Sequence, residues 1–155
     1  MTNIAVIIPI YNAEKTLSDV FERIPEQAIN EIKKFILVND GSTDNTYDVI
    51  DNLKQYYDNL VVITHHKNLG YGAAQKTGFK CALTDNIDIV VILHADGQYP
   101  PEKIADIIKP IKEGEADVVG GSRFLGGNVL KQGMPLVRYI GMVLLNAIEN
   151  SIFKQ

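Results

Sequence analysis

Two hydrophobic periods alternate along the chain, continuous apolar runs followed by stripes at helical spacing. Ile4 to Ile10 is an unbroken apolar run and predicts a first strand. Leu17, Val20, Phe21 and Ile24 then recur at helical spacing, and Pro25 closes that helix. Phe35-Ile36-Leu37-Val38 predicts a second strand. Ser42, Thr43 and Asp44 offer N-caps to a helix with Val49, Ile50 and Leu53 on one face. Leu60 to Thr64 reads as a third strand, and the helix after it, about Tyr71 to Leu83, has small residues that allow close approach to a sheet. Ile87 to Leu93 predicts a fourth strand buried on both faces. Ile104, Ile107, Ile108 and Ile111 mark an amphipathic helix whose last turn Pro110 weakens. Asp117 to Gly121 reads as a fifth strand, and Met134 to Phe153 as a final helix. Repeated β-α units of this length predict an α/β fold: a mostly parallel central sheet with helices on both faces.

Composition narrows the functional classes. The 155 residues suffice for about one domain, and 46% hydrophobic with 22% charged content fits a soluble globular protein. A net charge of −4 supplies no basic footprint, so no nucleic-acid partner is expected. Cys81 is the only cysteine, so no internal disulfide can form, which suits a reducing cytoplasm. The start Met-Thr-Asn leads straight into a strand, and no leader is expected. No run approaches the roughly 18 apolar residues of a membrane span. The nearest, Tyr139 to Ile148, is flanked by Arg138 and Glu149.

Four polar clusters each follow a predicted strand: Pro9-Ile10-Tyr11-Asn12, Asn39-Asp40-Gly41-Ser42, Asn68-Leu69-Gly70-Tyr71-Gly72 and His94-Ala95-Asp96. A parallel sheet delivers such segments to one edge, where open α/β sheets bind ligands. Each alone is ordinary turn chemistry. Four in the same topological position point to one pocket. An Asp at that rim can hold a divalent cation against a diphosphate. Two other signals carry less: His65 and His66 are neighbours on an extended chain and point to opposite faces, which opposes joint metal ligation. Gly70-x-Gly72 with Gly78 follows the third strand, whereas a dinucleotide fingerprint follows the first.

Taken together these segments resemble glycosyltransferase family 2, in its dolichol- or polyprenyl-phosphate sugar transferase branch. Ile8-Pro9-Ile10-Tyr11-Asn12-Ala13-Glu14 is similar to the family's opening Pro-x-Tyr-Asn-Glu segment, and Val38-Asn39-Asp40-Gly41-Ser42-Thr43-Asp44-Asn45-Thr46 to its Asp-Asp-Gly-Ser-x-Asp-x-Thr segment. Asn68-Leu69-Gly70-Tyr71-Gly72-Ala73 resembles its Asn-x-Gly-x-Gly-Ala loop. His94-Ala95-Asp96-Gly97-Gln98 occupies its Asp-x-Asp position, and Gly121-Ser122-Arg123 matches a following Gly-Ser-Arg. The resemblance implies the nucleotide-diphospho-sugar transferase fold (GT-A, Rossmann-like) and an inverting transfer of sugar from a GDP- or UDP-linked donor to a polyprenyl or dolichyl phosphate.

The same resemblance assigns roles. Pro9, Tyr11, Asn12, Glu14, Val38, Asn39 and Asp40 are expected around the nucleoside, with Gly70, Gly72 and Ala95 letting the backbone approach the donor. Asp96 and Gln98 are expected to hold Mg²⁺ or Mn²⁺, with His94 as a third candidate that brings no negative charge. Asp96 and Arg123 are the expected catalytic pair, Arg123 neutralising phosphate charge. Residues 1–133 are expected to form the donor-binding domain. Residues 134–155 are expected to form an amphipathic helix that begins an acceptor region cut short, with an apolar stripe for homodimerisation or peripheral contact at the cytoplasmic face of a membrane. Two other readings stay open: a nucleotide-sugar-binding fragment without turnover, and a sugar-phosphate nucleotidyltransferase. The second needs a Gly-rich basic loop after the first strand, where Pro9-Ile10-Tyr11-Asn12-Ala13-Glu14-Lys15 contains no glycine.

Overall fold

A computed structural model of the chain describes residues 2–122 and 134–153. The chain divides into two compact units, Met1–Val119 and Gly120–Gln155. In the first unit the order is β1 (Ile4–Ile10), α1 (Leu17–Glu22), α2 (Glu26–Glu31), β2 (Ile32–Asn39), α3 (Thr46–Leu53), β3 (Leu60–Thr64), α4 (Tyr71–Thr84), β4 (Ile89–Ile92), a 3₁₀ turn (Pro101–Lys103) and α5 (Ile104–Lys112). All pairings are parallel, and the strands lie in the order β3-β2-β1-β4.

The central strand explains its own sequence. All seven residues of β1 are buried, because both faces of a parallel sheet are covered. Ile4, Val6, Ile8 and Ile10 pack with Leu17, Phe21, Phe35, Leu37, Ile50 and Ile104 on the face of α1, α3 and α5. Ala5 and Ile7 pack with Ile36, Val38, Ala74 and Ala82 on the face of α4. A Cβ added at Gly78 of α4 would lie 2.4 Å from Cγ2 of Ile7, so the missing side chain is what lets α4 approach the sheet. Pro9 costs no ladder bond. Ile7 O accepts from Leu93 and Ile10 O from Asp40, so by alternation Pro9 faces the β4 side. The β1–β4 register ends at Ile7↔Ile92.

Three expectations change. Asp117 to Gly121 forms no strand; Val118 is 86% exposed, and two β-branched residues between Asp117 and a glycine pair hold no ladder position. The sheet among the described residues therefore has four strands. The helix after β2 is capped at Asn45, not at Ser42 or Thr43, and Asp44 Oδ1 accepts the Thr46 N–H at 3.1 Å. Sequence periodicity also misses α2, whose only buried residue is Ala28.

The second unit contains α6 (Leu136–Phe153), 18 residues in one helix. By length and composition it qualifies as a membrane span, against the expectation that no segment does. At about 1.5 Å per residue it covers most of a hydrocarbon core of roughly 30 Å. Arg138 and Glu149 do not interrupt it; each lies near an end, where a long charged side chain can reach toward water.

Candidate functional site

Strand order reverses between β1 and β4, because the chain builds outward from β1 to β3 and then returns to the other side of β1 with β4. At such a switch point the loops leaving two adjacent strands diverge and open a crevice at the carboxyl edge. A cavity of about 160 Å³ lies there, lined by Pro9, Tyr11, Asn12, Ala13, Thr16, Tyr71, His94, Ala95 and Asp96.

Side chains of the second loop fix the first. Three consecutive backbone N–H groups after β1 are taken: Asn12 N–H donates to Ser42 Oγ (3.0 Å), Ala13 N–H to Thr46 Oγ1 (2.8 Å) and Glu14 N–H to Asp44 Oδ2 (3.1 Å). In return, Thr43 N–H donates to Asn12 Oδ1 at 2.8 Å, and Asn45 gives both its backbone and side-chain N–H groups to Glu14 Oε2. Burial alone would push the Asp44 carboxyl up, but hydrogen bonds from Thr46 and the Glu14 amide hold it below its ordinary range. Asn12 and Glu14 are thus spent on joining two loops. Asn12 also adopts a left-handed φ of 52°, which suits asparagine at the turn out of β1.

Asp40 directly follows β2. Its side chain is 4% exposed, and its oxygens accept from His65 Nδ1 (2.6 Å), Leu69 N–H (2.9 Å) and Gly70 N–H (2.8 Å). Burial pushes this carboxyl up, yet the hydrogen bonds from His65, Leu69 and Gly70 outweigh it, and the group lies below the ordinary carboxylate range. Asp40 therefore holds the loop after β3. Val38 is buried in the core under α4, and Asn39 is fully buried, its Oδ1 accepting from Ser42 N–H. Val38, Asn39, Asp40, Gly70 and Gly72 do not line the cavity. A Cβ at Gly70 or Gly72 would meet open space, whereas one at Gly41 would lie 2.5 Å from the backbone carbon of Lys67.

The fourth cluster supplies the wall and the charge. Asp96 is exposed, with Oδ1 accepting the Gln98 N–H at 3.0 Å. His94 contacts two aromatics: its ring stacks on Tyr71 (centroids 5.1 Å apart) and meets Tyr99 at a tilt (4.4 Å), and its Nε2 lies 2.9 Å from the Tyr71 hydroxyl. Burial and the nearby Tyr99 and Asp96 push the Tyr71 phenol up, so it remains protonated. Thr16 Oγ1 donates to Ala95 O at 2.6 Å, and Arg23 forks onto Glu102 and reaches Gly97 O, tying this loop to α1. No group of three metal-ligating His, Cys, Asp or Glu side chains occurs among the described residues. A cation here would rest on Asp96 and take its other oxygens from a diphosphate and water. Arg123 lies outside the described residues. Of the lining residues, Ala13, Thr16 and Tyr71 had no assigned role in the sequence; an aromatic between two glycines at a helix start was the signal available for Tyr71.

A family model, Glycosyl transferase family 2, matches residues 5–153. The chain belongs to that family. Over 157 residues it is 36% identical to the UDP-N-acetylglucosamine–dolichyl-phosphate N-acetylglucosaminyltransferase of Methanococcus voltae, covering 94% of this chain and 61% of the relative. Over 124 residues it is 36% identical to the dolichol-phosphate mannosyltransferase of Pyrococcus furiosus, covering 80% of this chain and 34% of the relative. The chain thus spans about three fifths and one third of those two proteins. Among solved structures, the mannosyltransferase PcManGT of Pyrobaculum calidifontis in complex with GDP-Man and Mn²⁺ superposes with a TM-score of 0.57 at 23% identity, over 69% of this chain and 31% of that one. That likeness shows the shared fold, a glycosyltransferase A-type sheet.

Proposed function

We propose that this chain binds the donor of a sugar transfer, a nucleoside diphosphate sugar, and serves a glycosyltransferase acting on a polyprenyl or dolichyl phosphate. The observation that carries this reading is the cavity at the β1/β4 switch point with the Asp96 carboxylate at its rim. Relatives named for dolichyl-phosphate acceptors support the acceptor class. In this account Tyr11 and Tyr71 flank the donor and Asp96 orients its diphosphate. The family's Gly-Ser-Arg segment gives Arg123 the role of offsetting charge on the departing nucleoside diphosphate. A bound Mg²⁺ or Mn²⁺ would hold the diphosphate against Asp96 and offset its charge. The acceptor oxygen attacks the anomeric carbon in line as the nucleoside diphosphate leaves, inverting that centre. A lipid phosphate is already anionic at neutral pH, so the attack needs no strong general base. The apolar length of α6 supports contact with the membrane that holds such an acceptor, on its cytoplasmic face.

A nucleotidyltransferase would use backbone N–H groups after β1 to cradle a triphosphate, and here Asn12, Ala13 and Glu14 have given theirs to Ser42, Thr46 and Asp44. The test is a calorimetric titration with UDP-GlcNAc and GDP-Man, with and without Mn²⁺, followed by a transfer assay onto a short polyprenyl phosphate. Saturable, Mn²⁺-enhanced binding of one donor supports the reading. Affinity for nucleoside triphosphate alone defeats it.

A further inference from the structure

We propose that His65 is a positioning residue for the donor pocket, acting through Asp40 and Thr77 to set the loop that delivers Tyr71; this rests on the donor-site reading above. His65 follows β3, and its side chain is 11% exposed. Asp40 only accepts, so His65 Nδ1 donates to it at 2.6 Å, and in the neutral ring Nε2 accepts from Thr77 Oγ1 at 2.9 Å. One imidazole thereby joins the end of β2, the end of β3 and the body of α4.

The consequence falls on the chain between Asn68 and Tyr71. Asp40 Oδ1 accepts from both His65 and Leu69, and Oδ2 accepts from Gly70. These bonds fix Gly70 at a φ of 92°, from which α4 begins at Tyr71. Tyr71 lines the cavity and bonds His94. With His65 gone, the carboxylate keeps the two amides but loses the donor that orients it, and Tyr71 loses its fixed exit from the loop. The Asp40–His65–Thr77 line has the spacing of a nucleophilic triad, but Thr77 is not among the cavity residues, so no substrate reaches its hydroxyl there. The network positions a wall.

The test compares His65→Ala, His65→Asn and Thr77→Val in two readouts. These are amide hydrogen exchange at Leu69 and Gly70 without ligand, and affinity for UDP and GDP by calorimetry. Asparagine places an amide N–H near the position of Nδ1, so it keeps the bond to Asp40 and loses the one to Thr77. The expected result is faster exchange at both amides and a loss of nucleotide affinity of about tenfold in His65→Ala, with recovery to within about threefold in His65→Asn. Unchanged exchange in His65→Ala, or no rescue by asparagine, overturns the proposal. If His65→Ala lacks a cooperative melt, Thr77→Val, which loses the same bond as His65→Asn, decides: Leu69 and Gly70 exchange faster than wild type by up to about threefold supports the network, and wild-type exchange overturns it. Failure of the wild-type chain to bind any nucleotide defeats the donor-site reading instead, and the exchange readout still judges the clamp.

Discussion

The imidazole of His94 stacks on the ring of Tyr71 at an interplanar angle of 29° and shares a 2.9 Å hydrogen bond with its hydroxyl. The same ring lies 4.4 Å, centroid to centroid, from that of Tyr99, and His94 lines the cavity. Its Nε2 is engaged, so the cation-facing charge of this loop rests on Asp96. Replacing the ring by a carboxylate exchanges wall for charge. His94→Asp is therefore expected to raise Mn²⁺ affinity in the presence of UDP or GDP, and to weaken nucleotide binding measured without a cation. Parallel calorimetric titrations give both values. Weaker Mn²⁺ binding would show that the histidine itself ligates the metal.

Asp40 is expected to matter for stability with a defined pH signature. Its folded pKa is lowered from the ordinary 3.8, so its contribution is fully present above that value and is lost as pH falls through the lower folded pKa. Asp40→Asn removes the ionised acceptor shared by His65, Leu69 and Gly70, and should cost about 1.5–3 kcal/mol near neutrality. The difference between the two proteins should shrink as pH falls below about 4. Urea unfolding at a series of pH values measures it. A gap that stays constant down to acid would mean that the carboxylate is not the stabilising species.

Gly41 bears a geometric load that composition hides. Its φ is 69°, and an added Cβ would lie 2.7 Å from the Asn68 nitrogen as well as against Lys67. Both neighbours are backbone, so neither can swing aside. Gly41→Ala is expected to destabilise by about 1–3 kcal/mol and to loosen the loop that precedes Tyr71. Gly72→Ala, with open space around the new methyl, should stay near wild type. Equal melting temperatures for Gly41→Ala and wild type would contradict the close packing.

The fold was legible where burial writes itself into a run of residues. Ile4 to Ile10 and Leu60 to Thr64 form strands over those bounds, and α4 begins at Tyr71 as its small-residue stripe implies. Asp117 to Gly121 misled because Val118 and Val119 have the right propensity, and propensity does not supply a ladder partner. The helix α2 was missed because its two apolar residues, Ala28 and Ile29, are adjacent and leave no stripe at helical spacing.

The candidate site was legible in its location and less so in its division of labour. Post-strand clusters named the rim, and Pro9, Tyr11, Asn12, Ala95 and Asp96 do line the cavity. Sequence shows that Ser42, Asp44 and Thr46 are polar, but not that they capture three successive amides of a neighbouring loop. Nor does it separate a carboxylate that faces a ligand from one, like Asp40, that closes a loop; that distinction is made by contacts about 25 to 30 residues apart in the chain. His65 was read as half of a neighbouring pair, and its real partners are Asp40 and Thr77.

The proposed binding of a nucleoside diphosphate sugar at the β1/β4 switch point through Asp96 can be observed residue by residue. The most direct measurement is an amide chemical-shift titration of wild type and Asp96→Ala with UDP-GlcNAc and GDP-Man in the presence of Mg²⁺. Asp96 is exposed, so its removal should leave the fold and the unliganded spectrum largely intact. Saturable shifts are expected at Tyr11 to Ala13, Tyr71 and Ala95 to Gly97 in wild type, with cation-dependent affinity that Asp96→Ala loses. Shifts centred on another surface, or equal Mg²⁺-dependent affinity in the two proteins, would contradict it.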